Sequence, residues 1–147
     1  MSVNVAKLIN DRAAKKKKVY FIDAGNGGKS QIAKALFLLE CPNIEVYSAG
    51  TTPSESLNPL AVQALAEIGA DMSEGHPKGV DPQLLGISNH IVLIGADALL
   101  ELNVPGTVER WITDDPFLRG IEGLEAMRLI RDDIHTRVKE FAHRLAK

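Results

Sequence analysis

The residues best placed to do chemistry lie together in Asp23-Ala24-Gly25-Asn26-Gly27-Gly28-Lys29-Ser30. Three glycines within four positions let the chain turn tightly, so that backbone N–H groups converge on one point. A helix starting after them would add its own unpaired N–H groups and the positive end of its dipole. The chemistry expected of such a segment is anion binding, with residues 24–30 forming the concavity and Lys29 adding a point charge. A glycine-rich turn can also serve only to pack a strand closely against a helix. A nucleotide-binding phosphate loop fits poorly. That motif needs a glycine where Asp23 stands, and a carboxylate there would face the phosphates. No later strand ends in a clear metal-binding aspartate.

The elements around this segment must place it. Val19-Tyr20-Phe21-Ile22 is a continuous run of β-formers, as expected of a strand buried on both faces of a parallel sheet. Ser30 reads as the N-cap of a helix carrying Ile32, Ala33, Leu36 and Phe37 and stopped by Pro42. Further strands are expected at Ile44–Ser48, His90–Ile94 and Val108–Ile112. Asn58-Pro59 opens a helix that Gly69 closes, and Asp81-Pro82 opens a short one. One or two helical turns are expected over Ala96–Leu102. A long helix from about Ile121 to Leu145 repeats apolar residues every three or four positions. Residues Val3–Ala14 read as a further short helix ahead of a basic run, Lys15–Lys18. Strands alternating with helices imply an α/β, three-layer, doubly wound sheet of four parallel strands. Its ligand site belongs at the carboxyl ends of the strands, where the loop after the first strand lies.

Bulk properties narrow the function. The 147 residues are 45% hydrophobic and 24% charged with a net charge of −2, which suits one globular domain and gives no global case for nucleic acid. No apolar run is long enough to span a membrane, so no membrane partner and a cytoplasmic location are expected. The histidines form no ligand cluster, and neither a metal nor a cofactor is expected. Cys41 is the only cysteine, which excludes any mechanism needing two thiols in one chain.

The segment after the first strand resembles the phosphate loop of the low-molecular-weight protein tyrosine phosphatase and arsenate reductase family: a cysteine, five residues, then arginine and serine, with a Gly-Asn pair inside. Gly25-Asn26 matches the pair and Ser30 the serine. Gln31-Ile32-Ala33-Lys34-Ala35 is similar to the helix that follows in arsenate reductases. Ser48-Ala49-Gly50-Thr51, the span from Asn58-Pro59 to Gly69-Ala70-Asp71, and His76-Pro77-Lys78 follow in the family's order. Asp115-Pro116-Phe117 resembles the loop that carries its general acid. The resemblance runs over roughly residues 18–145, so residues 1–17 are read as an added lead-in and 18–147 as the phosphatase-like unit. It implies a flavodoxin-like strand order and makes Asp115 the candidate acid, with Asp114 adjacent.

Two departures fall on the chemistry. Asp23 stands where the resemblance places the nucleophilic cysteine, and Lys29 where it places the arginine. A thiolate is a strong nucleophile made available by amide donors, whereas a carboxylate is weaker and longer. Arginine grips two phosphate oxygens at once and lysine does not. The expectation is a degenerate phosphatase-like protein, a pseudophosphatase, in which Asp23 fills the loop as an internal anion and pairs with Lys29. It would bind or regulate an unknown protein partner and keep a remnant site for phosphate or sulfate. The alternative is a phosphohydrolase with Asp23 as nucleophile, Asp115 as acid and Lys29 holding the oxygens. Thiol-dependent arsenate reduction is excluded, since Cys41 lies at the far end of the next helix. His76 and Lys78 are candidates for the edge of the pocket.

Overall fold

The computed structural model describes residues 17–101 and 103–146. The helix expected over Val3–Ala14, and with it most of the proposed lead-in, lies outside the described residues. Strand β1 (Lys18–Asp23) is central and pairs in parallel with β2 (Glu45–Gly50) on one side and β3 (His90–Ile94) on the other. Strand β4 (Thr107–Trp111) extends the sheet beyond β3, also in parallel, giving the order β2-β1-β3-β4. The flavodoxin-like order is therefore the one found.

β1 alternates its side chains between two apolar layers, which explains its unbroken hydrophobic sequence. Val19 and Phe21 face helix α1 (Lys29–Glu40) and the long helix α4 (Gly123–Leu145), with α2 (Pro59–Ala66) completing that layer. Phe21 is fully buried among Phe37, Trp111 and Phe141, with ring centroids 5.6 to 6.2 Å apart. Tyr20 and Ile22 face the opposite layer, with Ala49, Ile91 and Leu93, under the short helix α3 (Pro82–Ile87).

Asn58 caps α2, its Oδ1 accepting from the Leu60 and Ala61 amides with Pro59 at the first position, and Asp81 caps α3 through the Gln83 amide. α2 ends at Ala66, and Gly69 (φ +81°) then turns the chain. Two expectations need correction. Ser30 is not the cap of α1; it lies inside the helix, Gly28 is the N-cap, and no side chain of the cap residue bonds the helix. Of residues 96–101, only Ala96 and Asp97 form a turn, and no helix follows. Gly95 takes φ +93°, and Arg110 Nη1 binds the carbonyls of Gly95 and Ala98, which a helix would have used internally. The last helix begins at Gly123, two residues after Ile121.

His90 sits at the start of β3, edge-on to Phe141, with Nδ1 2.7 Å from the Thr107 hydroxyl. Burial, and after it the nearby Lys17 charge, hold its imidazole below the ordinary histidine range. The neutral form is therefore favoured by folding, and the unfolded chain binds more protons as pH falls. The contribution is intact above the unfolded histidine value and is lost as pH drops towards the folded one. The thermal midpoint should fall from about pH 7.5 to about pH 5.5, across the histidine range, and less steeply in His90→Gln. Scanning calorimetry at several pH values checks this.

Candidate functional site

Asp23 is the last residue of β1 and pairs with Gly50 at the end of β2. The loop after it is held from outside by residues 51–58. Thr51 N donates to Asp23 O, Thr52 N to Ala24 O, Ser54 N to Gly25 O and Asn58 N to Gly27 O, all at 2.7 to 3.0 Å. Carbonyls drawn outward leave the following N–H groups facing inward, which is how such a loop becomes an anion nest. Gly50 must be glycine for this strap to lie so close, because a Cβ there would meet Ala24 O at 2.6 Å.

The centre of the loop is occupied by the chain itself. Asp23 Oδ1 accepts from the Asn26 amide at 2.6 Å and the Ser30 hydroxyl at 2.7 Å, and Oδ2 accepts from the Ser30 amide at 3.1 Å. Asp23 as a residue is 8% exposed. It does for α1 what an N-cap side chain would do, from seven residues earlier in the chain, so Ser30 itself is not needed as the cap. Among the described residues, the amides of Gly25, Gly27 and Gly28 donate to no protein acceptor.

Asn26 braces the loop. It is fully buried and takes φ +54°, a left-handed conformation that asparagine tolerates better than most residues. Its Nδ2 donates to Ser30 Oγ, while Oδ1 accepts from Gln31 Nε2, Lys78 N and Lys78 Nζ. Gln31, 4% exposed, also donates to the carbonyls of Asn26 and His76. Lys78 therefore supports the loop from behind and does not edge the pocket. His76 contributes its backbone carbonyl alone. Burial, with the nearby Lys34 charge, lowers the Lys78 ammonium below the usual lysine range.

The loop opens into a cleft of about 680 Å³ that Asp23, Lys29 and Asp97 share with Ser54, Ser56 and Leu60. Lys29 and Asp97 also line a second cleft, of about 1050 Å³, and this one holds Asp115. Among the described residues Asp23 makes no ion pair, so the expected Asp23–Lys29 bridge is replaced by loop amides and a hydroxyl. Asp114 is held by Arg119 in a two-point pair at 2.6 and 3.0 Å, and that guanidinium keeps its carboxyl below the usual range. Asp115 precedes a 3₁₀ turn, Pro116–Arg119, and its side chain is exposed and does not cap it. The structure thus brings Asp23, Asn26, Gly28 and Ser30 together and sets Asp115 in the neighbouring cleft, with Lys29 between. Sequence reasoning did not assign Gln31 and Asp97 to the site. Gln31 had a usable signal, a polar residue on the buried face of an otherwise apolar helix. Among the described residues no group of three or more histidine, cysteine or acidic side chains could hold a metal ion, and no helix is long and apolar enough to cross a membrane.

This sheet and loop define the class, an α/β domain of the low-molecular-weight phosphatase type. The solved thioredoxin-dependent arsenate reductase of Corynebacterium glutamicum overlays with a TM-score of 0.73, covering 97% of this chain and 72% of that one at 23% identity. The tyrosine phosphatase Wzb of Escherichia coli K30, solved with sulphate, overlays at 0.76, covering 88% and 98% at 15% identity. No protein-family model matches the chain. In sequence it is 35% identical over 136 residues to arsenate reductase 1 of Staphylococcus epidermidis, covering 88% of this chain and 98% of that protein. It is 36% identical over 132 residues to the arsenate reductase of Brevibacillus brevis, covering 86% and 95%. The chain belongs to the arsenate reductase family.

Asn26→Ala should be among the most damaging single changes in the loop. It strands four hydrogen-bonding partners and forces a β-carbon residue without a polar side chain into a left-handed conformation. Together these should cost about 3 kcal/mol. Asn26→Gly, free of the backbone strain, should cost about 1 kcal/mol less. Urea unfolding of both variants measures the difference.

Proposed function

We propose that this chain is a binding member of its family, a pseudophosphatase that does not carry out thiol chemistry. The observation that carries this reading is the Asp23 carboxylate, which takes up two amides and one hydroxyl of the loop. Cys41, the only thiol, is at the other end of α1, about 18 Å away along twelve residues. Burial and the Glu40 charge push that thiol up, away from the reactive form.

Magnitudes favour weak oxyanion binding over turnover. At 4 Å and an effective dielectric constant of 20, two like unit charges repel by about 4 kcal/mol, so a phosphate dianion meets about 8 kcal/mol from Asp23. Lys29 at a similar distance returns about the same amount. The unpartnered glycine amides, at about 2 kcal/mol per charge-assisted bond, then work against the cost of stripping water from the dianion. The two charges cancel and the amides alone provide the attraction, which describes a remnant site for phosphate or sulfate. A regulatory protein partner and a cytoplasmic location belong to the same proposal, and residues 18–147 form the unit that carries it.

One observation favours a second reading. Asp23 and Lys29 line the same cleft, and Lys29 also borders the cleft containing Asp115. An aspartyl-phosphate phosphohydrolase, with Asp23 attacking and Asp115 as acid, would use that arrangement. Hydrolysis of p-nitrophenyl phosphate, with and without magnesium, separates the two. The pseudophosphatase reading expects no turnover above background in the parent or in Asp23→Ala. It expects measurable turnover in the double variant Asp23→Cys/Lys29→Arg. Turnover by the parent that disappears in Asp23→Ala would establish the second reading instead.

A further inference from the structure

Two charges at the loop lack a partner of opposite sign. Asp23, at the tip of β1, is bound by two amides and a hydroxyl. Lys78, behind the loop, gives its Nζ to two neutral acceptors, Asn26 Oδ1 at 3.2 Å and His76 O at 3.1 Å. Neither residue makes an ion pair among the described residues. Burial and the nearby Lys34 charge both work against the Lys78 ammonium. A charge taken from water without a counter-charge is costly at either position.

One chain of hydrogen bonds joins the two, and its direction is forced. The Lys78 backbone N–H lies 3.0 Å from the Asn26 side chain and can only donate, as can Nζ. The atom facing them is therefore the amide oxygen. The Asn26 NH₂ group then points the other way, to Ser30 Oγ at 2.8 Å. That hydroxyl accepts there and gives its own proton to Asp23 Oδ1 at 2.7 Å. Every proton on the path is directed towards the carboxylate, and the Asn26 amide rests its negative end on the cation. Asn26 and Ser30 are both fully buried. Hydrogen bonds aligned in this way strengthen one another, and the low local dielectric makes each of them stronger than in water.

We propose that Lys78 is the counter-cation of Asp23 and its positioning residue, acting through the Asn26 amide and the Ser30 hydroxyl without touching the carboxylate. Lys29, though on the loop itself, takes no part in this chain of bonds. The charge at position 78 sets how firmly the loop stays filled by its own side chain. The inference rests on the place of Asp23 in the loop and not on the proposed loss of turnover. Hydrolysis of p-nitrophenyl phosphate by the parent would overturn the proposed function and leave the Lys78 role standing.

The test is a double-mutant cycle on the full chain, read by urea unfolding. Lys78→Gln keeps a hydrogen-bond donor and removes the charge, whereas Lys78→Arg keeps the charge. Each is compared in the parent and in Asp23→Asn, with Asp23→Ser as the second background if Asp23→Asn does not fold. Lys78→Gln should raise the unfolding constant at least about fivefold more in the parent than in the Asp23 variant. Lys78→Arg should recover most of that difference. Lys34→Gln, which removes a nearby ammonium outside the chain of bonds, should show a difference below about twofold. Equal effects of Lys78→Gln in the two backgrounds would mean that Lys78 merely braces Asn26, and would overturn the proposal. Lys78→Gln performing as well as Lys78→Arg, or Lys34→Gln showing as large a difference, would overturn it too. Where Lys78→Gln does not fold, the ¹⁵N spectrum of Lys78→Arg decides: Asn26 and Ser30 amides near their parent positions support the proposal, and their loss overturns it.

Discussion

The Asp23 carboxylate organises the carboxyl end of the central strand. It sits at the tip of β1, nearly excluded from water, where a bare charge would be costly without partners. Its partners are the Asn26 and Ser30 amides and the Ser30 hydroxyl. Those bonds draw the loop closed, cap α1, and fix Ser30 as a helical residue. The strap of residues 51–58 pulls the loop carbonyls the other way. Loop, strap and helix start are thus held between an internal anion and an external row of amides. Asn26, with Gln31 and Lys78 behind it, keeps the left-handed turn between them from relaxing.

An oxyanion would ask the same loop for the same donors. Part of that donor set is already taken by the Asp23 side chain. What is left is a set of glycine amides and Lys29, facing a cleft that also contains a negative charge. On the proposed reading, position 23 decides between a binding role and chemistry. Lys29 on that reading acts in the same direction, because a single ammonium cannot span two phosphate oxygens.

Much of this was legible in the chain because the signals were local. β1 showed as an unbroken apolar run, since a central parallel strand is buried on both faces. Asn58-Pro59 and Asp81-Pro82 marked two helix starts through side chains that cap their own helices. The loop's place after β1 followed from strand–helix alternation. What was not legible depended on partners distant in sequence. Ser30 looked like a cap because nothing nearby shows that Asp23, seven residues back, does the capping. The turn at Ala96 looked helical because nothing local reveals that Arg110 takes the carbonyls there. Lys78 looked like a pocket residue until its contact with Asn26, fifty-two positions away, placed it behind the loop. Opposite charges on one short loop suggest an Asp23–Lys29 pair, but converging amides and the Ser30 hydroxyl satisfy the carboxylate instead.

The most direct test of this account is to titrate the chain with inorganic phosphate while following the Gly25, Gly27 and Gly28 amides, in the parent and in Asp23→Ser. If Asp23 occupies the cradle, the parent binds weakly and Asp23→Ser binds at least about tenfold more tightly, a gain of about 1.4 kcal/mol. Parent binding as tight as the variant's, with the same glycine amides moving, would show that the carboxylate does not compete for the site and would contradict the account.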